Sequence, residues 1–238
     1  MRSLITLAVT LALFFNGFSQ SLDPLTLSTN GFVEVVKHDG DTIFIGGDFS
    51  NVGFHAPYVS LINPTTNLPI ADGPALNSGA RVSIPDGAGG FYVGGFFTSV
   101  NGENQNRIVH ILSDLTIDAS FDCSLNSTVE ALHLGSDHLY IGGSFTDANS
   151  LSVDRLIRVN PESGAADASW LPQIDNGTVK DIVVAGDFVY AGGTFTSVEN
   201  SNDYRYLAQF SMNSGEVETF RSVNGTVEDL ELDGNTLF

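Results

Sequence analysis

The stretch Leu139–Asn149, LYIGGSFTDAN, places a glycine pair after an apolar run and follows it with hydroxyl, acidic and amide side chains. Such a run suits a phosphate or metal loop as readily as a piece of framework, and its recurrence decides between them. IFIGGDFSNVG, FYVGGFFTSVNG and VYAGGTFTSVEN repeat it, with first glycines at Gly46, Gly94, Gly142 and Gly192, spaced 48, 48 and 50 residues apart. A period near 50 is the mark of propellers and solenoids. A phosphate cradle would need a helix start after the glycines and usually a lysine. The residues that follow are Asp48, Phe96, Ser144 and Thr194, with no helical pattern behind them. The glycine pairs (Gly46 and Gly47, Gly94 and Gly95, Gly142 and Gly143, Gly192 and Gly193) therefore read as framework. So do the phenylalanines two residues beyond them, Phe49, Phe97, Phe145 and Phe195. Glycine leaves room for a neighbouring ring or backbone, and permits a bulge or a positive φ where the strand ends.

Around each pair lies a larger unit. Valine-led strands precede it: VEVVKH from Val33, VEALHL from Val129, VKDIVV from Val179 and VEDLEL from Val227, with the second unit degenerating here to ARVSIP. A turn rich in Gly and Asp leads to the next strand, whose apolar residues are continuous rather than alternating, so both its faces are covered. Aromatics stand two residues before the glycines, at Phe44, Tyr92, Tyr140 and Tyr190. After a polar loop comes YVSLIN, RIVHIL, RLIRVN or YLAQFS, then a weaker fourth strand ending near Phe121, Trp170 or Phe220. Four short strands per 48 residues or so predict an all-β chain, a β-propeller of four-stranded blades. The blades span about 31–77, 78–126, 127–175 and 176–223, with a partial fifth over 224–238. VEDLELDGNTLF stops inside a strand pair, which leads us to expect the N-terminal part of a longer polypeptide. Residues 21–30 match the stretch from Ser120, and are expected to form a strand that completes the last blade and seals the ring.

The first residues carry one positive charge, Arg2, an apolar run from Leu4 to Phe15, and small residues at Gly17 and Ser19. That is a secretion signal over residues 1–19, cleaved before Gln20 and too short for a comfortable membrane span. No membrane insertion is expected after its removal. The chain has 28 acidic and 9 basic residues, and losing Arg2 leaves 8 basic residues and a net charge of −20. Nucleic acid and anionic membranes are excluded as partners by that balance. Cys123 stands alone, so no internal disulfide forms, and it reads as a small buried hydrophobe. The core must hold the fold together, and the residues from 20 to 238 are enough for one.

The repeat resembles the delta-60 repeats of secreted bacterial proteins, a family of unknown function expected to form β-propellers. VGGFFTSVNGENQNRIVHIL and IGGSFTDANSLSVDRLIRVN carry the resemblance, and the propeller of fungal cortical cell-polarity markers looks similar. The first unit departs from the pattern, having SNVGFHAPYVSLIN without the arginine. The resemblance implies a secreted or surface-attached repeat protein, often followed by a sorting domain for type IX secretion. It supplies no catalytic residues.

Candidate sites are few. The loops after Phe-Thr collect oxygen donors: Asn101, Glu103 and Asn104; Asp147 and Asn149; Glu199, Asn200, Asn202 and Asp203. If the chain takes calcium, Glu199 and Asp203 are the first ligands to test, although Asn and Asp are also ordinary turn residues. No other cofactor is expected. His133 and His138 straddle a hairpin turn and can face each other, but two histidines do not make a metal site. Glu34, Glu130 and Glu228 follow the leading valine of three units, and Lys180 takes that place in another. If those strands are innermost, the four approach an axial channel. Asn126, Asn176 and Asn224 match the N-glycosylation pattern, and the turn explains them without a sugar. The expectation is a non-catalytic binding or display scaffold for a protein or glycan partner, or for further blades of its own chain. The rival is a carbohydrate-active hydrolase or lyase on the same scaffold.

Overall fold

The computed structural model describes Thr29 and residues 31–238, other than 40, 41, 50, 53, 56, 57, 64, 67, 70–72, 222 and 235. The signal segment over 1–19 and, apart from Thr29, nearly all of the ring-sealing strand lie outside the described residues. Those residues are all-β, with no helix among them. The first sheet contains β1 (Phe32–Asp39), β2 (Thr42–Asp48), β3 (Val59–Asn63) and β4 (Leu68–Pro69), in that order. The second contains β5 (Ala80–Pro85), β6 (Phe91–Gly95) and β7 (Ile108–Ile111), and the third β8 (Val129–Leu134), β9 (Leu139–Gly143) and β10 (Leu156–Val159). The fourth contains β11 (Val179–Ala185), β12 (Phe188–Gly193), β13 (Leu207–Ser211) and β14 (Val217–Glu218). A hairpin of β15 (Leu232–Asp233) and β16 (Thr236–Leu237) follows. All these pairings are antiparallel.

Three expectations are corrected here. Only the first and fourth sheets have four strands. In the second and third, the fourth strand shrinks to the single bridges Ile111↔Ile117 and Val159↔Ala166. The cause is local: Asp118 and Asp167 each turn their side chain onto the backbone N–H two residues on, at Ser120 and Ser169, both at 2.9 Å. These Asx turns end the strand as it begins. The leading strand expected from Val227 is likewise reduced to Leu232–Asp233. ARVSIP, by contrast, is a full first strand, with Ala80 buried in the place of the leading valine.

β5 lies against β1 on one side and β8 on the other, and β8 lies between β5 and β11. The first strands therefore form a row along one edge, and the core fills the spaces between successive sheets. Val82 and Ile84 pack with Val129, Leu132 and Phe145, while Ala131 and Tyr140 pack with Val179, Ile182 and Phe195. In the second, third and fourth units the aromatic before the glycine pair meets the aromatic that closes its own unit, whereas Phe44 of the first meets Phe91 of the second at 5.3 Å. Tyr92 and Phe121 are 5.4 Å apart, Tyr140 and Trp170 5.6 Å, and Tyr190 and Phe220 5.5 Å.

The glycine pairs sit where two chains come close. A Cβ on Gly94, Gly142 or Gly192 would collide with the leading valine of the next unit, Val129, Val179 or Val227. A Cβ on Gly47, Gly95, Gly143 or Gly193 would instead overlap a carbonyl oxygen of its own unit's first strand or of the residue just before it. The expected bulge is present, on the first strand opposite the pair in every sheet. Positive φ is not found at these glycines. It falls on Tyr58, Arg107, Arg155 and Tyr206, just before the third strands, at 68°, 71°, 66° and 65°. The carbonyl of each accepts the N–H of the second glycine, and its own N–H reaches the carbonyl of Phe49, Phe97, Phe145 or Phe195. That pair of bonds holds a left-handed residue in place where no glycine is available.

Candidate functional site

The row of first strands carries one charged residue per unit immediately after the leading residue: Glu34, Arg81, Glu130, Lys180 and Glu228. The signs alternate, and the side chains pair across units. Arg81 Nη1 donates to Glu34, and its Nε lies 3.7 Å from Glu130 Oε2. Lys180 Nζ donates to Glu228 Oε2 at 2.6 Å. The Arg81 guanidinium also lies 4.5 Å over the Phe96 ring, a cation–π contact. Burial, chiefly, raises the Glu130 pKa; Arg81 and Lys180 oppose that, while Glu34 and Glu228 reinforce it. Sequence reasoning placed four of these five residues together and missed Arg81. The available signal was the alternation of sign at one repeat position.

The loop oxygens do not converge in the same way. Asn77 Oδ1 accepts the N–H groups of Thr98 and Ser99, Asn126 Oδ1 those of Thr146 and Asp147, and Asn176 Oδ1 that of Thr196. One asparagine ahead of each of these three Phe-Thr loops thus locks it. Asn126 also donates its Nδ2 to Thr146 Oγ1 at 3.0 Å, so the atom that would carry a glycan is already engaged. Asn101 and Asn149 occupy left-handed turn positions, with their Oδ1 atoms accepting from Ala75 and Ser124. Glu199 is left-handed too, and its Oε1 accepts the Val217 N–H at 3.2 Å. Asp203 Oδ2 accepts from Ser201 Oγ at 3.1 Å. The structure therefore gives the two calcium candidates separate partners. Among the described residues, no three His, Cys, Asp or Glu side chains gather as metal ligands.

The strand register sets His133 opposite Tyr140, not opposite His138. Each ring lies 6.4 Å from Tyr140, and burial lowers the His133 pKa. Cys123 is buried in the core between the second and third sheets, where burial raises its thiol pKa to about 12. The polar cluster that the sequence did not suggest is inside the second unit. His110 is buried, with Nδ1 2.9 Å from Asp118 and Nε2 3.1 Å from Asp86, and it stacks on Tyr92 at 4.2 Å. Burial acts to raise both aspartate pKa values. At Asp86 it is outweighed by the Ala88 and Gly90 N–H groups and His110, and at Asp118 by Ser120 and His110, so both fall. Arg158 occupies the matching place in the third unit, donating to Asp167 Oδ2 from Nε at 2.8 Å and to Met212 O from Nη1 at 2.5 Å. These groups join strands and neighbouring units.

Comparison with family models matches residues 92–121 and 136–169 to a family described as a domain of unknown function (DUF5122) beta-propeller. Each match runs from the second strand or the turn before it to the closing aromatic of its unit or the residue before that aromatic, in units two and three. It supports a propeller-like repeat of unknown function. No curated protein matches the chain. Among solved structures, the computationally designed Ika4 protein is similar at 11% identity and a TM-score of 0.52, over 82% of this chain and 99% of that one. The computationally designed Ika8 protein is similar at 10% identity and a TM-score of 0.40, over 86% and 79%, a likeness too loose to argue from. The first likeness concerns fold alone.

Proposed function

We propose that this chain is a secreted or cell-surface β-propeller, of four blades and part of a fifth, that displays loops to a protein or glycan partner without catalysing a reaction. Placement with the delta-60 repeat proteins belongs to the same proposal. The observation that carries it is how the polar groups are spent. Loop asparagines cap loops, charges pair along the row of first strands, and half-buried carboxylates hold His110 or Arg158. Each arrangement follows the repeat, whereas a catalytic site breaks it in one or two units. A shallow polar groove between the loops of the second and third units, lined by Asn106, Ser124, Asn126, Asp147 and Asn149, offers donors and acceptors to a partner.

One observation favours a hydrolase. Arg81 bridges Glu34 and Glu130, and a carboxyl group with a raised pKa such as Glu130 suits a general acid. The two readings separate in one experiment. Purified protein is screened on a glycan array and incubated with the polysaccharides it retains, and the products are separated by chromatography. Retention with no product supports the scaffold. Turnover that Glu130→Gln abolishes, with the fold intact, overturns it.

A further inference from the structure

The groove between the second and third units lies where the repeat departs from its own pattern. Arg107 and Arg155 hold the same left-handed place, just before β7 and β10. Arg155 reaches across to the next unit, donating from Nε to Gly177 O at 3.0 Å and from Nη1 to Ile174 O at 2.6 Å. Arg107 instead turns back onto its own unit, donating from Nη1 to Phe96 O at 2.5 Å. The reason lies in the sequence. Leu125 and Ile174 occupy matching positions, bridged to Ala148 and Val198 of the loops that follow them. Leu125 directly precedes Asn126, whereas Asp175 stands between Ile174 and Asn176. With that extra residue the chain presents the carbonyls that Arg155 takes. Without it, a groove of about 370 Å³ stays open beside Arg107.

Several polar atoms of the lining residues have no protein partner among the described residues. Asn106 bonds Ser124 Oγ through Nδ2 at 3.0 Å and leaves Oδ1. Asp147 accepts the Ser150 N–H on Oδ1 and leaves Oδ2. Arg107 leaves Nε and Nη2. We propose that this groove binds a neutral glycan through its hydroxyl groups, which names the partner class for the scaffold read above and rests on that reading. A sugar hydroxyl donates and accepts at once, so it suits a lining that offers both bare oxygens and guanidinium N–H groups. The groove's volume falls within the range of small-ligand sites, about 300–1,000 Å³. Its two charged residues, Arg107 and Asp147, cancel, and the chain's net charge of −19 repels glycans that carry carboxylate or sulfate. A protein segment finds less to hold. Leu125, the apolar residue of the lining, is only 2% exposed, so the groove has no socket for an apolar anchor.

The test titrates the full chain with neutral gluco-, manno- and galacto-oligosaccharides, and with oligogalacturonate as the anionic comparison, read by saturation-transfer NMR. A neutral series is expected to bind, and oligogalacturonate is not. Asp147→Asn keeps the Ser150 bond through Oδ1, and Arg107→Lys keeps a donor for Phe96 O. Each is expected to weaken binding about tenfold or more with Tm unchanged. If none of the neutral sugars binds, or oligogalacturonate binds more tightly, the proposal is overturned. Sugar binding indifferent to both substitutions overturns it too, and leaves the scaffold reading in place with its site elsewhere. The same holds if the chain retains a protein partner and no sugar. Turnover of a bound sugar defeats the scaffold reading itself, and this proposal with it.

Discussion

The two glycines of each pair look alike in the sequence and do different work, and substitution separates them. A Cβ on Gly142 collides with the Val179 side chain, which can be shortened, whereas a Cβ on Gly143 meets the Thr128 carbonyl, which cannot. Gly142→Ala is expected to cost about 1–3 kcal/mol by overpacking. Combining it with Val179→Ala should give a cost below the sum of the two single changes in urea denaturation. Gly143→Ala should cost more, with no recovery from any change at Val179. Asp167 offers a test in pH. Burial alone would raise its pKa, but hydrogen bonds from Ser169 and Arg158 overcome that and bring it down to about 2. A carboxylate depressed in the folded state stabilises above its unfolded pKa and loses that contribution as pH falls through the folded value. Between about pH 4 and pH 2 the wild type should therefore lose stability that Asp167→Asn lacks throughout, on the order of 1 kcal/mol given the solvent screening of this partly exposed pair. Parallel curves for the two proteins across that window would remove Asp167 from the account.

Between elements, the charged row of first strands is the feature to perturb. The Arg81 Nε is buried without a hydrogen bond, and its guanidinium serves two carboxylates at once. Replacing a paired charge by an apolar side chain of similar length is often close to neutral, while reversing it leaves like charges together. Arg81→Met should thus cost under about 1 kcal/mol. Arg81→Glu should cost about 2–3 kcal/mol at low salt, less at high salt, with part recovered by Glu34→Lys. Equal effects from both substitutions would mean that packing on Phe96, and not charge, holds the strand. The same strand shows what was legible beforehand. The repeat was plain because a glycine and a phenylalanine are sterically required at fixed places in every unit. Arg81 was hidden because Ala80 fits the Gly46 socket as valine does elsewhere, so the leading signature disappeared while the position survived. The left-handed residues were invisible for a related reason. Tyr58, Arg107, Arg155 and Tyr206 take a conformation that composition assigns to glycine, and two backbone hydrogen bonds compensate. The cluster of His110, Asp86 and Asp118 joins three separate segments, and no spacing along the chain announces it.

Across the described residues, successive sheets bury their faces against one another, as in a linear array whose stability is a sum of unit and interface contributions. The ends should then be weakest. At one end β1 exposes three apolar side chains; at the other, residues 223–229 are exposed or half-buried, and Phe238 is 70% exposed. Amide exchange should be slowest in β6, β9 and β12, whose sheets are covered on both sides, and fastest in β15 and β16, with opening free energies differing by about 2 kcal/mol or more. Val227 and Leu230 cover the Gly192 face, and Asp181 accepts the Leu230 N–H at 2.6 Å. Deleting residues 224–238 should therefore speed exchange in β11 and β12 while leaving β5 and β6 as they were. The sign of the effect at β6 is decisive. If its amides lose as much protection as those of β12, the sheets unfold as one cooperative body, and the array description fails.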